Sequence, residues 1–392
     1  MNQASVSLPV PENLAASGSA FRPLRPECPV AFDSSRCLRL RSRYNDCGRC
    51  AQACPARVLR VTHTALELAD GCLRCGQCSA ICPTGALQTE GFAVDPPRAA
   101  GRETPLYVDC WKVPASGSPP DATRVPCLGG IALHQFVQWH TATEGRPIVL
   151  TDRGWCGQCG AGSRANQPAQ EALDAARALL TALGVAEQAL PHLESKPLPR
   201  ERMPKEIPDF AAARPMSRRE FFTGVRRNAV RAIRPAAPHR HDASAEARRP
   251  RPAKVEPTAR SQLLAQAAVL SKQHGRPLPA ELFPALRVSD ACRNHGVCAA
   301  ICPAGGLQCY ESDGRSVVGI AFDAEACIAC GDCTRACPEK ALALLAQGDG
   351  EAPRGAMILT RWTRRECRDC GYEFADSGSS TVCPTCRKTD LT

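Results

Sequence analysis

The chain of 392 residues contains few aromatic residues, with four Trp, four Tyr and ten Phe against 25 Cys. That balance indicates several units organised around metal, since one core of this size is unusual. No stretch approaches the roughly 18 uninterrupted apolar residues that span a bilayer. No P-loop occurs and no GxGxxG follows a predicted strand, which argues against a flavin, nicotinamide or nucleotide site.

The N-terminal sequence lacks the basic region and apolar core of a secretory signal, and the many CxxC pairs favour a reducing compartment. We therefore expect a cytoplasmic location. Residues 1–20 are small and polar, which is typical of a disordered tail.

Positive charge is concentrated in one segment. Residues 214–260 hold thirteen Lys+Arg and four Asp+Glu, which gives this segment a net charge of +9, whereas the whole chain has a net charge of +10. The sequence predicts a basic Pro/Arg-rich linker over 191–257. Three roles are open for it: a solvated connection, a surface that docks a partner, or a peripheral contact with a membrane. Nucleic acid is not expected, because Phe221 and Phe222 are the only Phe, Tyr or Trp side chains among the arginines of 214–260 and few bases could stack there.

Four cysteine runs end in Cys-x3-Cys-Pro, and the last cysteines are Cys54, Cys82, Cys302 and Cys337. The runs that begin at Cys72 and Cys327 have the full C-x2-C-x2-C-x3-C-P spacing. In that spacing three thiolates hold one cubane and the fourth reaches a partner cluster. The runs resemble those of bacterial two-cluster ferredoxins, which implies two ferredoxin-like dicluster units, at 21–104 and 258–350.

The crossing rule assigns two four-cysteine sites to the first unit. Tyr44 occupies the position of a regular cysteine in the first run, and Cys37 is the expected replacement. Site A is then Cys37, Cys47, Cys50 and Cys82. Site B is Cys54, Cys72, Cys75 and Cys78. Zinc is the alternative, but zinc sites come as separated CxxC pairs rather than three cysteines in seven residues.

The second unit has one regular site and one altered site. Site C is Cys302, Cys327, Cys330 and Cys333. Site D is Cys292, His295, Cys298 and Cys337, in which His295 replaces the second cysteine. Three outcomes are open for site D: His295 is a nitrogen ligand, the site holds a 3Fe–4S cluster, or Cys309 is the fourth ligand. The remaining sites are expected to hold 4Fe–4S clusters.

A small α/β unit is predicted at 105–190, with strands near 106–108 and 148–150 and helices near 131–141 and 168–183. Its four cysteines at element ends indicate one metal site, called site M: Cys110, Cys127, Cys156 and Cys159. The sequences around them, such as Val125-Pro-Cys-Leu-Gly-Gly130, resemble the delta subunit of methyl-viologen-reducing hydrogenases. That resemblance implies a 2Fe–2S cluster and electron transfer toward heterodisulfide reductase; zinc is the open alternative.

The last predicted module, at 355–392, has two CxxC knuckles. They form site R: Cys367, Cys370, Cys383 and Cys386. Four such sulfurs suit one zinc or one iron ion. The Cys-Gly-Tyr motif and the twelve-residue separation resemble the rubredoxin-like domain of rubrerythrins. We expect a structural zinc ribbon slightly more than a redox iron.

The expected fold class is α+β, and β-hairpins are predicted between the runs of the first unit, at 58–68 and at 86–94. The expected function is that of a polyferredoxin, a non-catalytic subunit that relays electrons between a dehydrogenase, hydrogenase or molybdoenzyme and an acceptor. The mid-chain Ser217-Arg-Arg219 element resembles one in accessory ferredoxins of periplasmic nitrate reductase. The alternative function is an assembly or maturation factor for a redox metalloenzyme.

Overall fold

The computed structural model describes residues 21–25, 30–92, 104–154, 156–162, 167–199, 201, 253–312, 314, 316–345, 355–376, 378 and 380–389. Helices and strands are mixed along the chain, and the fold is α+β. The predicted tail at 1–20 and the Ser217-Arg-Arg219 element lie outside the described residues.

None of the helices in the described segments has the length and apolar character needed to cross a membrane.

The N-terminal unit consists of very short elements. Its strands are β1 Arg22–Pro23, β2 Val30–Phe32, β3 Leu59–Val61, β4 Leu66–Leu68 and β5 Leu87–Thr89, and its helices are α1 Leu38–Arg41, α2 Arg49–Ala53 and α3 Gln77–Ala80. β3 and β4 form the hairpin predicted at 58–68. β5 pairs with β2, and the predicted partner of β5 at 92–94 lies outside the described residues from position 93 onward.

The β2–β5 pair closes the N-terminal unit around both cysteine runs, since β2 precedes the first run and β5 follows the second. Phe92, the first residue of the strand expected beside β5, packs instead into the core of the next unit. Sequence pattern could not assign this partner, because strands of three residues carry too little alternation to distinguish a local pairing from a distant one.

The middle unit is a four-stranded parallel sheet with two helices. Its elements are β6 Leu106–Cys110, β7 Thr123–Val125, α4 Leu133–Ala142, β8 Ile148–Asp152, α5 Gln170–Ala182 and β9 His192–Ser195. The strand order is β7-β6-β8-β9. The strands Leu106–Cys110 and Ile148–Asp152 are buried because helices cover the sheet, which explains their nearly continuous apolar sequence. β7 was not predicted, and β9 lies inside the segment that we expected to be linker.

A long helix, α6 Thr258–His274, joins the middle unit to the rest of the chain. Its Ala267 and Leu270 pack with Val137 of α4 and Leu180 of α5. Near its N-terminus Arg260 donates to the carbonyl oxygens of Leu282 and Ala324, both at 2.8 Å. The helix that we assigned to the second dicluster unit therefore belongs equally to the core of the middle unit.

The second cysteine-rich unit repeats the first in its pairing. Its elements are β10 Ala285–Val288, α7 Val297–Ile301, β11 Leu307–Ser312, β12 Val317–Phe322, α8 Asp332–Ala336 and β13 Leu342–Leu345. β10 pairs with β13 as β2 pairs with β5, and β11 pairs with β12 as β3 pairs with β4. The repetition places the two pairs of cysteine runs in equivalent frameworks.

The C-terminal segment extends the sheet of the second unit. It comprises β14 Met357–Glu366, β15 Glu373–Asp376 and the short helix α9 Pro384–Thr389. The sheet order is β11-β12-β14-β15. A Cβ at Gly319 would lie 2.0 Å from the carbonyl oxygen of Thr360, so only glycine lets β12 and β14 approach this closely. The C-terminal knuckles are thus attached to the second unit by a continuous sheet.

We predict a pH-dependent stability from the interface between α4 and α6. His140 is only 2% exposed, and its Nδ1 has no hydrogen-bond partner among the described residues. Burial, followed by the charge of His274, lowers the pKa of His140 to about 4. The unfolded imidazole binds a proton near pH 6.5 and the folded one does not. The free energy of unfolding should therefore fall by on the order of 2 kcal/mol between pH 6.5 and pH 4.5.

Urea unfolding at pH 7 and pH 5 should detect this fall in the native chain and a smaller one in His140→Leu. The exposed His192 provides the matched control, since His192→Leu should retain the full dependence. An equal loss of stability in the native chain and in His140→Leu would show that another group causes it.

Candidate metal centres

All four Cys-x3-Cys-Pro runs end in the same backbone turn. The third residue after the last cysteine has a positive φ in each: Arg57, Gly85, Gly305 and Lys340. Non-glycine residues rarely adopt this left-handed region, so two of the four turns hold an arginine or a lysine there against its preference. The repetition indicates one loop geometry that is used four times.

Three of the runs share a second feature before their helices. In each of them the residue before the second ligand position and the glycine after it both have a positive φ. The three pairs are Arg74 and Gly76, Asn294 and Gly296, and Ala329 and Gly331. His295 therefore occupies the same backbone position as Cys75 and Cys330. The run at Cys47 differs, because its Gly48 has a φ of −135°.

These turns direct backbone N–H groups at sulfur atoms. The N–H of Ala86 donates to Cys82 Sγ at 3.2 Å, and the N–H of Ala341 donates to Cys337 Sγ at 3.3 Å. The N–H of Ala329 donates to Cys327 Sγ at 3.4 Å. Such donors stabilise thiolate ligands and influence the reduction potential of an iron–sulfur group.

Three cavities are lined by the ligand sets that the crossing rule assigns. One cavity is lined by all of site C, and another by all of site B. A third is lined by Cys292, His295, Cys298 and Cys337 of site D. Apolar side chains such as Leu286 and Phe322 complete the site C wall. Cavities with converging cysteines and apolar walls fit the four-thiolate ligation of a 4Fe–4S group.

The four cysteines of site A are also neighbours. Burial, and then the charges of Cys82, Cys37 and Cys47, raise the pKa of Cys50 to about 12. At site C burial likewise raises the pKa of Cys330 to about 12. Buried thiols of this kind stay protonated unless a cation compensates the thiolate. Metal binding at these sites must therefore release protons.

At site D the imidazole of His295 lines the same cavity as the three cysteines and also contacts Glu339. Its Nε2 lies 3.2 Å from Oε1 of Glu339, and about half of the ring is exposed. Cys309 on β11 lies beside the same loop, since a Cβ at Gly296 would be 3.0 Å from Cys309 Sγ. The structure thus places both candidate fourth ligands beside site D.

Site M lies at the carboxyl ends of the parallel strands. Cys110 ends β6, Cys127 follows β7, and Cys156 and Cys159 follow β8. Sequence reasoning missed Lys112, which is 8% exposed and whose Nζ donates to Cys159 Sγ at 3.3 Å. Burial raises the pKa of the Cys110 thiol, and the ammonium of Lys112 opposes that shift. A buried cation at this position favours thiolates and hence metal ligation.

Site M is in direct contact with site B. Cys75, Cys127 and Cys159 form one buried cluster with Ala161. A Cβ at Gly130 would lie 2.4 Å from the carbonyl oxygen of Cys75, so this glycine allows the two loops to touch. Gln77 Nε2 donates across the same contact to the carbonyl oxygen of Ala161 at 2.9 Å. The glycine pair after Cys127 belongs to the motif that resembles the hydrogenase delta subunit, and the sequence does not indicate its role in this contact.

Site R has a tighter geometry than the other sites. The sulfurs of Cys367, Cys370, Cys383 and Cys386 all lie within 4.8 Å of one another, the one such group in the described part of the chain. Cys370 Sγ and Cys383 Sγ are 3.8 Å apart, close to the edge of a tetrahedron with metal–sulfur bonds of about 2.3 Å. The N–H of Cys383 donates to Cys367 Sγ at 3.2 Å and lowers the pKa of Cys367 to about 6. The group fits one tetrahedral ion.

Comparison with protein families adds one finding. A 4Fe-4S binding domain model matches residues 320–342, which contain Cys327, Cys330, Cys333 and Cys337. The chain is an iron–sulfur protein. A search of curated proteins finds no match. The matched segment includes three of the four cysteines that line the site C cavity and the cysteine that crosses to site D.

Site R leads to a prediction about metal removal. A chelator such as EDTA should release one metal ion per chain from it and unfold the short helix α9, because the knuckles have few apolar contacts besides Phe374 and Val382. Cys383→Ser should abolish that release and leave the iron at the other sites unchanged. Metal analysis before and after dialysis measures both. Retention of the ion by Cys383→Ser would contradict the assignment.

Proposed function

We propose that this chain is a polyferredoxin, a non-catalytic subunit that carries electrons between redox enzymes. The observation that carries the proposal is the lining of three separate cavities by the ligand sets of sites B, C and D. When bound, a 4Fe–4S group accepts and releases single electrons. Several such sites in one chain suit transfer between partners.

The protein's own residues contribute ligation, burial and hydrogen bonds. N–H donors at Cys82, Cys327 and Cys337 stabilise the charged sulfurs, and apolar walls limit the access of water. At site D we propose that three cysteines hold the group, as a 3Fe–4S cluster or with His295 or Cys309 completing it. This difference would give site D a potential distinct from the potential of site C.

For site M we propose a 2Fe–2S cluster. Two observations support this. The four sulfurs lie at one edge of the sheet beside the Lys112 ammonium. They are also more widely spaced than the sulfurs of site R, which all lie within 4.8 Å of one another. For site R we propose a structural zinc ribbon, because its spacing fits one tetrahedral ion. The proposed partners are subunits of a cytoplasmic dehydrogenase, hydrogenase or molybdoenzyme and an acceptor enzyme.

A redox titration of anaerobically purified protein, monitored by EPR, tests the proposal. We expect reversible reduction at low potential at more than one centre, with iron retained through repeated cycles. Incubation with an iron-free two-cluster ferredoxin distinguishes the assembly function, since a maturation factor would transfer iron to it. Iron loss to that acceptor, or no reversible reduction, would contradict an electron-carrying role.

A further inference from the structure

The two cysteine-rich units dock on each other through a buried polar pair. Asn45 is 2% exposed and Asp332 is 1% exposed, and Asn45 Nδ2 donates to Asp332 Oδ1 at 2.8 Å. These residues are 287 positions apart and belong to different units. A buried amide and carboxylate need partners, so each fixes the position of the other.

Both members of this pair also hold a cysteine loop. The N–H of Cys47 in site A donates to Asn45 Oδ1 at 2.9 Å. The N–H of Asp332 is directed at Cys330 of site C. The hydrogen bond between the two side chains therefore connects a ligand loop of site A with a ligand loop of site C.

Arg335 reinforces the contact from the second unit. Its Nη2 donates to Asp332 Oδ1 at 3.1 Å and to the carbonyl oxygen of Cys330 at 2.7 Å, and its Nε donates to the carbonyl oxygen of Tyr44. The guanidinium partly neutralises the buried carboxylate and spans the junction. Asp332 therefore has a charged partner on its own unit and a neutral one on the other.

A second set of bonds ties the same two sites together. Arg36 Nη2, beside Cys37 of site A, donates to the carbonyl oxygen of Glu256 at 2.7 Å. In the same segment Lys254 Nζ donates to the carbonyl oxygen of Cys302, a site C residue, at 2.7 Å. Loops of sites A and C are thus linked through the segment that contains Lys254 and Glu256, while site B contacts site M.

We propose that the Asn45–Asp332 pair is a positioning junction that joins the sites into one electron path, in the order M, B, A, C, D. This inference rests on the proposed function. One electron crosses the junction at a time. The centre that gives it up is oxidised by one electron and the centre that receives it is reduced by one electron, and no bond is broken and no proton is transferred. The external electron source is a one-electron reductant, for which dithionite serves in the test.

The test uses a charge swap in the full chain. Asn45→Asp places two carboxylates against each other, and Asp332→Asn added to it restores one donor and one acceptor with the original net charge. EPR of the dithionite-reduced protein measures magnetic interaction between the centres. We expect Asn45→Asp to weaken that interaction and to lower the half-saturation power several-fold, and the swapped pair to restore both.

A second chain isolates the junction. Cys75→Ser with Cys298→Ser removes a ligand from sites B and D, so that any interaction that remains between ferredoxin-type sites arises between sites A and C, and site M is separated from them. We expect an interaction-split signal in this chain and its loss on addition of Asn45→Asp. Two independent, unsplit signals would overturn the junction while leaving the proposed function intact, since both centres would still be reduced.

The test remains decisive if Asn45→Asp folds poorly and loses iron. In that case the swapped pair is compared with the native chain. If it regains both the iron and the magnetic interaction, the junction is supported, and if it regains the iron alone, the junction is overturned. Unchanged spectra and saturation in Asn45→Asp overturn it as well. A native chain that holds iron but cannot be reduced would instead refute the proposed function.

Discussion

Cys330→Ser should remove roughly four iron atoms per chain and leave the iron at sites A and B in place. Cys330 lines the site C cavity together with Cys302, Cys327 and Cys333, and serine is a poor ligand for an iron–sulfur group. The loss should also lower the thermal stability of the second unit. Its elements are short, and metal ligation supplies a large part of the folding free energy in such units.

Iron analysis and the melting temperature of anaerobic samples measure both effects. Ile328→Val is the matched control, because this side chain lines the same cavity without offering a ligand. The control should keep its full iron content. Unchanged iron in Cys330→Ser would show that this cysteine is not a ligand, and equal losses in both variants would indicate general loss of packing.

Gly130→Ala should destabilise the chain by about 2 kcal/mol, since an added Cβ overpacks a closed contact. That Cβ would lie 2.4 Å from the carbonyl oxygen of Cys75 and 2.2 Å from Cζ of Phe92. The substitution forces site B away from site M. We therefore expect a lower melting temperature and a weaker magnetic interaction between the centres of those two sites.

Gly48→Ala is the control for this prediction. Gly48 has a φ of −135°, and the nearest atom to an added Cβ is 3.9 Å away. Its melting temperature should stay close to that of the native chain. If Gly130→Ala has the same melting temperature as the native chain, the loops of sites B and M are not in close contact.

Spacing and the crossing rule grouped residues that the fold brings to common cavities at sites B, C and D, because the cysteines of each run lie a few residues apart along the chain. The long elements Ile148–Asp152, Leu133–Ala142 and Gln170–Ala182 were also predictable, since each carries a full apolar pattern. The three-residue strands of the first unit were harder, and the pairing of β5 with β2 was not predicted.

The junctions between units could not be read from the sequence. Asn45 and Asp332 form no recognisable motif, and their pairing depends on how two distant loops meet. Lys112 resembles any surface lysine until the sheet places it against Cys159. Gly130 shows its purpose only once the backbone of Cys75 lies beside it. Tertiary contacts of this kind leave no local period or spacing in the chain.

The most direct test of the account is the iron and acid-labile sulfide content of protein purified without oxygen. Four cysteine sites of the ferredoxin type predict about sixteen iron atoms with a similar number of sulfides, somewhat fewer if site D is trinuclear and more if site M holds iron. The protein should be brown. A colourless preparation that contains zinc but no labile sulfide would contradict the central claim.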